Sequence, residues 1–103
     1  MRSFADRRPI AVPVSWAALE GPARGQVCLP AELSWTGRLN YDLNNPADVR
    51  VLYERVLVDA VTAGVVSQLL NGELLKATWS ELFLPRAVRA AWEARFPELA
   101  TAA

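Results

Sequence analysis

The stretch Asn44-Asn45-Pro46-Ala47-Asp48-Val49-Arg50-Val51-Leu52-Tyr53-Glu54-Arg55-Val56-Leu57-Val58-Asp59-Ala60-Val61 decides the fold. Asn45 can accept a hydrogen bond from a first-turn N–H that has no partner inside a helix. Pro46 suits the first helical position, where its missing N–H would be orphaned in any case. Behind this start, Val49, Leu52, Tyr53, Val56, Leu57, Ala60 and Val61 recur at the i, i+3, i+4 spacing of one helical face. The spacing predicts a helix from about Pro46 to Ala63, with Gly64 as its C-cap or kink. At 100° per residue, Val51 and Val58 fall almost opposite the centre of that stripe, between Glu54 and Arg55. Either the helix is buried on two sides, or its second face belongs to a partner.

Working outward, the segments before this helix are β-prone and those after it helical. Ile10 to Val14 is extended but interrupted by Pro13, which confines it to an edge. Glu20-Gly21-Pro22-Ala23-Arg24-Gly25 is a turn. Gln26 to Leu29 is a short strand in which Cys28, between Val27 and Leu29, is expected to be a core thiol. Arg38 to Leu43 alternates Leu39, Tyr41 and Leu43 against polar neighbours, the period of a half-buried strand. After the long helix, Val65 to Leu70 continues helically to a stop at Asn71-Gly72, and Glu73 to Trp79 is another short helix. Ser80 is a possible cap for the turn that follows. Pro85 starts a last helix with Val88, Ala91, Trp92, Phe96 and Leu99 on one stripe, broken near its end by Pro97. Arg95 projects onto the centre of that stripe, where it is expected to need a carboxylate or a group of carbonyls. The expected architecture is α+β: short N-terminal β segments followed by three or four packed helices. Residues 1–8 form a basic arm, 9–99 one globular domain and 100–103 a frayed tail.

Composition removes several function classes. The chain of 103 residues has eleven basic and eleven acidic side chains, so no net field steers nucleic acid toward it. Histidine is absent, which removes the commonest general base and zinc ligand. With one cysteine, no intramolecular disulfide or cysteine-based metal cluster can form within one chain. No glycine-rich phosphate loop, nucleophile elbow or CxxC pair is present. Asp42 and Asp48, around Asn44 and Asn45, have turn and cap spacing rather than that of a calcium loop. Neither a catalytic residue, a cofactor nor a metal is expected. The basic N-terminus lacks an apolar segment behind it and no apolar run approaches membrane-spanning length, so the expectation is a cytoplasmic protein.

Four tryptophans are many for this length. Trp79 and Trp92 sit on apolar stripes and are expected inside, with at least one of Trp16 and Trp35 partly exposed. The expected contact face comprises Val51, Val58, Glu54 and Arg55, with Arg7 and Arg8 of the arm. The leading function is a non-catalytic protein-interaction module that binds a protein partner or a second copy. The alternative is a nucleic-acid-binding regulator using Arg2, Arg7 and Arg8, with Arg86 and Arg89. A small-ligand site near Trp35, Asp42 and Arg95 is a third.

Tyr41-Asp42-Leu43-Asn44-Asn45-Pro46, Arg50, Leu52-Tyr53-Glu54 and Val56-Leu57, followed by Leu82-Phe83-Leu84-Pro85, Val88-Arg89, Ala91-Trp92-Glu93 and Phe96-Pro97-Glu98-Leu99, form a pattern. It resembles small uncharacterised bacterial proteins encoded beside nucleotidyltransferase-like toxins of the abortive-infection class. The resemblance spans about residues 26–99, and its motifs are structural rather than catalytic. It implies an antitoxin or accessory subunit that acts on a neighbouring enzyme. The chain departs from many antitoxin-like repressors in lacking a DNA-binding module.

Overall fold

The computed structural model describes residues 10–29, 38–60 and 62–100. Arg2, Arg7 and Arg8 of the basic arm, Trp35, Val61 and positions 101–103 of the tail lie outside them. Strands β1 (Gln26–Cys28) and β2 (Asn40–Asp42) lead into helices α1 (Pro46–Asp59), α2 (Ala63–Leu69), α3 (Gly72–Thr78) and α4 (Arg86–Arg95). Short 3-10 turns occupy Trp16–Ala18, Trp79–Glu81 and Pro97–Leu99. This is the expected α+β order, strands early and helices after. The strands are antiparallel with Val27 opposite Tyr41, and both of those side chains are buried. Gly25 makes the preceding turn at φ 87, a conformation that an L side chain resists.

The α1 start forms as its residues dictate. The Asn45 side chain accepts from the Ala47 N–H at 3.0 Å, and Pro46 opens the first turn. Val49, Leu52, Tyr53, Val56 and Leu57 are buried, packed with Val66, Leu75, Trp79, Val88 and Trp92 in one core. Trp79 and Trp92 lie 6.4 Å apart between ring centroids, and Trp92 continues to Phe96 at 5.7 Å. Trp16, half-buried, closes the other side of Phe96 edge-on at 5.1 Å. Val88 and Trp92 are thus buried with the α1 stripe, as their spacing requires.

Several local expectations are corrected. α1 stops at Asp59 rather than Ala63, because Ala60 turns extended (ψ 132) and Thr62 caps a new helix by accepting from the Val65 N–H. Gly64 lies inside α2 and neither caps nor kinks α1. α2 ends at Leu69, just before the expected Asn71-Gly72 stop, but Asn71 itself, at φ -101, is the N-cap of α3 and accepts from the Leu74 N–H. Ser80 lies within a 3-10 turn and caps nothing. Ile10, Ala11 and Val12 pack on the core without forming a third strand. Cys28 is exposed, because alternation sends Val27 inward and its neighbour out. Arg95 is also exposed: it is the last residue of α4, and Phe96 takes the core position beyond it. Its charge sits at the helix C-terminus, where the macrodipole favours it.

Asn71 ties the N-terminal segment to the helices. Its side-chain amide donates to the Gly21 carbonyl at 3.1 Å, while its own N–H donates to the Tyr53 hydroxyl at 3.0 Å. Alongside, Glu20 N–H donates to Ser67 O and Gly21 N–H to Leu70 O, both at 2.9 Å. Gly21 is required by space: a Cβ there would stand 2.5 Å from the Leu69 carbonyl carbon. Burial pushes the Tyr53 phenol from 10.0 up to about 12, partly opposed by the Asn71 N–H. A raised folded-state value means the unfolded phenol ionises first. Stability present below pH 10 is therefore expected to fall by roughly 2 to 3 kcal/mol as pH rises toward 12. Urea titrations at pH 9 and at pH 12 should show that loss in the parent chain and a smaller one in Tyr53→Phe.

Candidate functional site

The second face of α1 carries Arg50, Val51, Glu54, Arg55 and Val58, and the structure gives these residues different fates. Val51 is 44% exposed, whereas Val58 is half-buried. Arg55 pairs with Asp59 at 2.8 Å, one turn along the same helix. Arg50 reaches across to Glu81 at 3.1 Å. The Glu54 side chain reaches off the helix, where its Oε2 accepts the N–H of Phe83 at 2.7 Å.

That last bond completes a small device. Leu82 is extended, with ψ 136, and Pro85 disfavours helical backbone at Leu84, the residue before it. Leu82 is buried, and Phe83 is 90% exposed. The peptide group joining them is held from both ends. Arg89 donates to the Leu82 carbonyl at 2.6 Å, and Glu54 accepts from the Phe83 N–H. A cation thus meets the peptide oxygen and an anion the peptide nitrogen, the charge-assisted arrangement that most strongly fixes an amide. Arg89 is itself fixed, its guanidinium 4.9 Å from the Trp79 ring centroid and 3.8 Å from Glu93. Glu93 in turn accepts from Trp79 Nε1 at 2.9 Å.

Phe83 is therefore presented to solvent on a braced main chain, with Val51 one helical turn before Glu54 on the adjoining surface. The Arg50–Glu81 ion pair borders the same surface. Among the described residues only Val14, Val51 and Phe83 are large exposed apolar side chains. Sequence reasoning found Val51 by its helical position and missed Phe83 as a surface residue. No local pattern marks it, because the bonds that hold its main chain come from Glu54 and Arg89.

The other expected sites fare as follows. Arg7, Arg8 and Trp35 lie outside the described residues, so nothing places them beside Val51 or Asp42. Asp42 Oδ1 accepts from the Asn44 N–H, and Asp48 Oδ2 from the Asp42 N–H, both at 2.9 Å, so these carboxylates serve the turn and the helix start. The Asp42 N–H, followed by the Arg38 guanidinium, holds the Asp48 carboxyl below the usual carboxylate range. Among the described residues no three Asp, Glu or Cys side chains converge as a metal-ligand set. Arg89, counted among possible phosphate contacts, is engaged with Leu82, Trp79 and Glu93. Among the described residues no helix is long and apolar enough to cross a membrane. No family model matches the chain, and neither a curated protein nor a solved structure is similar to it.

Proposed function

We propose that this chain is a non-catalytic protein-interaction module of antitoxin or accessory-subunit type, which docks on a partner enzyme in the cytoplasm through Phe83 with Val51 beside it. The observation that supports this reading is Phe83, 90% exposed on a peptide group braced by Glu54 and Arg89. A phenylalanine held in water is unfavourable for the free chain, and fixing its backbone in advance lowers the ordering cost of binding. Anchors of this kind, a rigid aromatic at the centre with apolar and charged neighbours around it, concentrate binding energy. The resemblance to proteins encoded beside nucleotidyltransferase-like toxins makes an enzyme of that class the partner to try first.

The test is co-purification and calorimetry with that enzyme, comparing the parent chain with Phe83→Ser and with Phe83→Ser/Val51→Glu. Both variants are expected to keep the parent circular dichroism and melting curve, because neither side chain is in the core. Binding should weaken by about 30-fold to 1,000-fold for the single change, the range of a 2 to 4 kcal/mol anchor. Unchanged affinity in the folded double variant would remove this face from consideration. Affinity that instead collapses with rising salt would favour phosphate contacts and a nucleic-acid partner.

A further inference from the structure

An unbroken series of side chains joins the N-terminal segment to the peptide group that carries Phe83. Trp16 meets Phe96 edge-on at 5.1 Å between ring centroids, Phe96 meets Trp92 at 5.7 Å, and Trp92 meets Trp79 at 6.4 Å. The Arg89 guanidinium lies 4.9 Å from the Trp79 ring centroid and donates to the Leu82 carbonyl at 2.6 Å. The series begins on the strap formed by residues 10–21, which is fastened by the bonds from Glu20 to Ser67 and from Gly21 to Leu70. It ends at the Leu82–Phe83 peptide.

Three features let this series pass a displacement along. Rings packed at interior density leave no slack, so a shift of one moves the next. Trp92 Nε1 is buried without a hydrogen-bond partner among the described residues, so packing alone sets the position of that ring. Phe96 stands beyond the last residue of α4, at φ -127 and ψ 81, outside the regular helical backbone. Trp16 in turn owes its seat to a glycine. The three atoms nearest a Cβ built on Gly72 all belong to the Trp16 indole, with Nε1 at 2.8 Å, closer than a side chain can stand. Gly72 is the first residue of α3, so the glycine there serves space rather than backbone conformation.

We propose that the strap regulates the docking surface: with Trp16 seated on Gly72, the ring series holds Arg89 against the Leu82 carbonyl and keeps Phe83 presented, and lifting the strap slackens that brace. By reciprocity, a partner that clamps Phe83 also tightens the strap. The use of this coupling in docking rests on Phe83 being the anchor, whereas the coupling itself can be measured in the free chain, so the two can fail separately.

The test reads the Phe83 amide, whose bond to Glu54 opens when the brace does, by hydrogen exchange in NMR on the free full chain. Gly72→Ala displaces the Trp16 ring and Trp16→Ala removes it. Each should speed exchange at Phe83 by about 2-fold to 30-fold, the usual span for changes along a coupled network. The Leu43 amide, bonded to Gly25 in the hairpin, should keep its rate, which separates slackening of the brace from loss of the whole fold. Adding Gly72→Ala to Trp16→Ala should change the Phe83 amide no further, because the new methyl group then has no ring to displace. A Phe83 amide unchanged in Trp16→Ala would overturn the proposal, and so would Phe83 and Leu43 amides that accelerate by the same factor. An effect of Gly72→Ala that persists in full without Trp16 would overturn it as well.

Discussion

Trp79→Ala is expected to take away most of the chain's stability. The side chain is 1% exposed, packs on Trp92, donates to Glu93 and lies under Arg89. Truncation opens a cavity in the largest aromatic cluster, and leaves Glu93 without its indole donor and Arg89 without a ring to lie against. Losses of about 3 to 5 kcal/mol are usual for such a change, against about 5 to 15 kcal/mol for a whole domain. A fall in Tm of at least about 12 °C is expected by calorimetry, given about 4 to 8 °C per kcal/mol in a chain of this size. Trp79→Phe, which restores ring volume but not the N–H, should recover most of the loss. If Trp79→Ala melts within a few degrees of the parent, the core described above is wrong at its centre.

The second large effect is expected at Asn71. Asn71→Ala removes the cap acceptor for the Leu74 N–H and the donor to Gly21 O, while the main-chain bond to Tyr53 can persist. A lost N-cap costs about 0.5 to 2 kcal/mol and a buried acceptor left unpaired about 1 to 3 kcal/mol, so a total of roughly 2 to 4 kcal/mol is expected by urea denaturation. Asn71→Asp separates the parts. It keeps the cap but sets a carboxylate against the Gly21 carbonyl, so it should recover the α3 contribution alone. Amide exchange at Leu74 reports the cap directly; if Asn71→Ala leaves that amide as protected as before, Asn71 does not start the helix.

What could be read in the sequence was whatever depends on near neighbours. The Asn45-Pro46 start, the α1 stripe, the pairing face of Tyr41 and the buried pair Val88 and Trp92 all follow from spacings of two, three or four residues. The errors share a different origin. Thr62 was passed over as a cap because the apolar pattern runs on through Ala60 and Val61, and a side-chain bond to Val65 outweighs that pattern. Arg95 was placed on a stripe that α4 is too short to continue. Cys28 was judged by its apolar neighbours rather than by the alternation that turns it outward. Phe83 escaped because its exposure depends on Glu54 and Arg89, 29 positions before it and six after, and no local pattern carries that pairing.

The hydrogen bonds at Glu20 and Gly21 have a consequence for how the chain reaches this state. The bond from Asn71 to Gly21 joins residues 50 positions apart, and those to Ser67 and Leu70 span nearly as many. Closing a loop of that length carries an entropy cost that grows with the logarithm of its span and must be met before those bonds form. The hairpin and α1 enclose only short loops and face no such cost. The N-terminal segment is thus the buckle of the fold: its bonds at Glu20 and Gly21 close the longest of these loops, and the entropy they must overcome is correspondingly the largest.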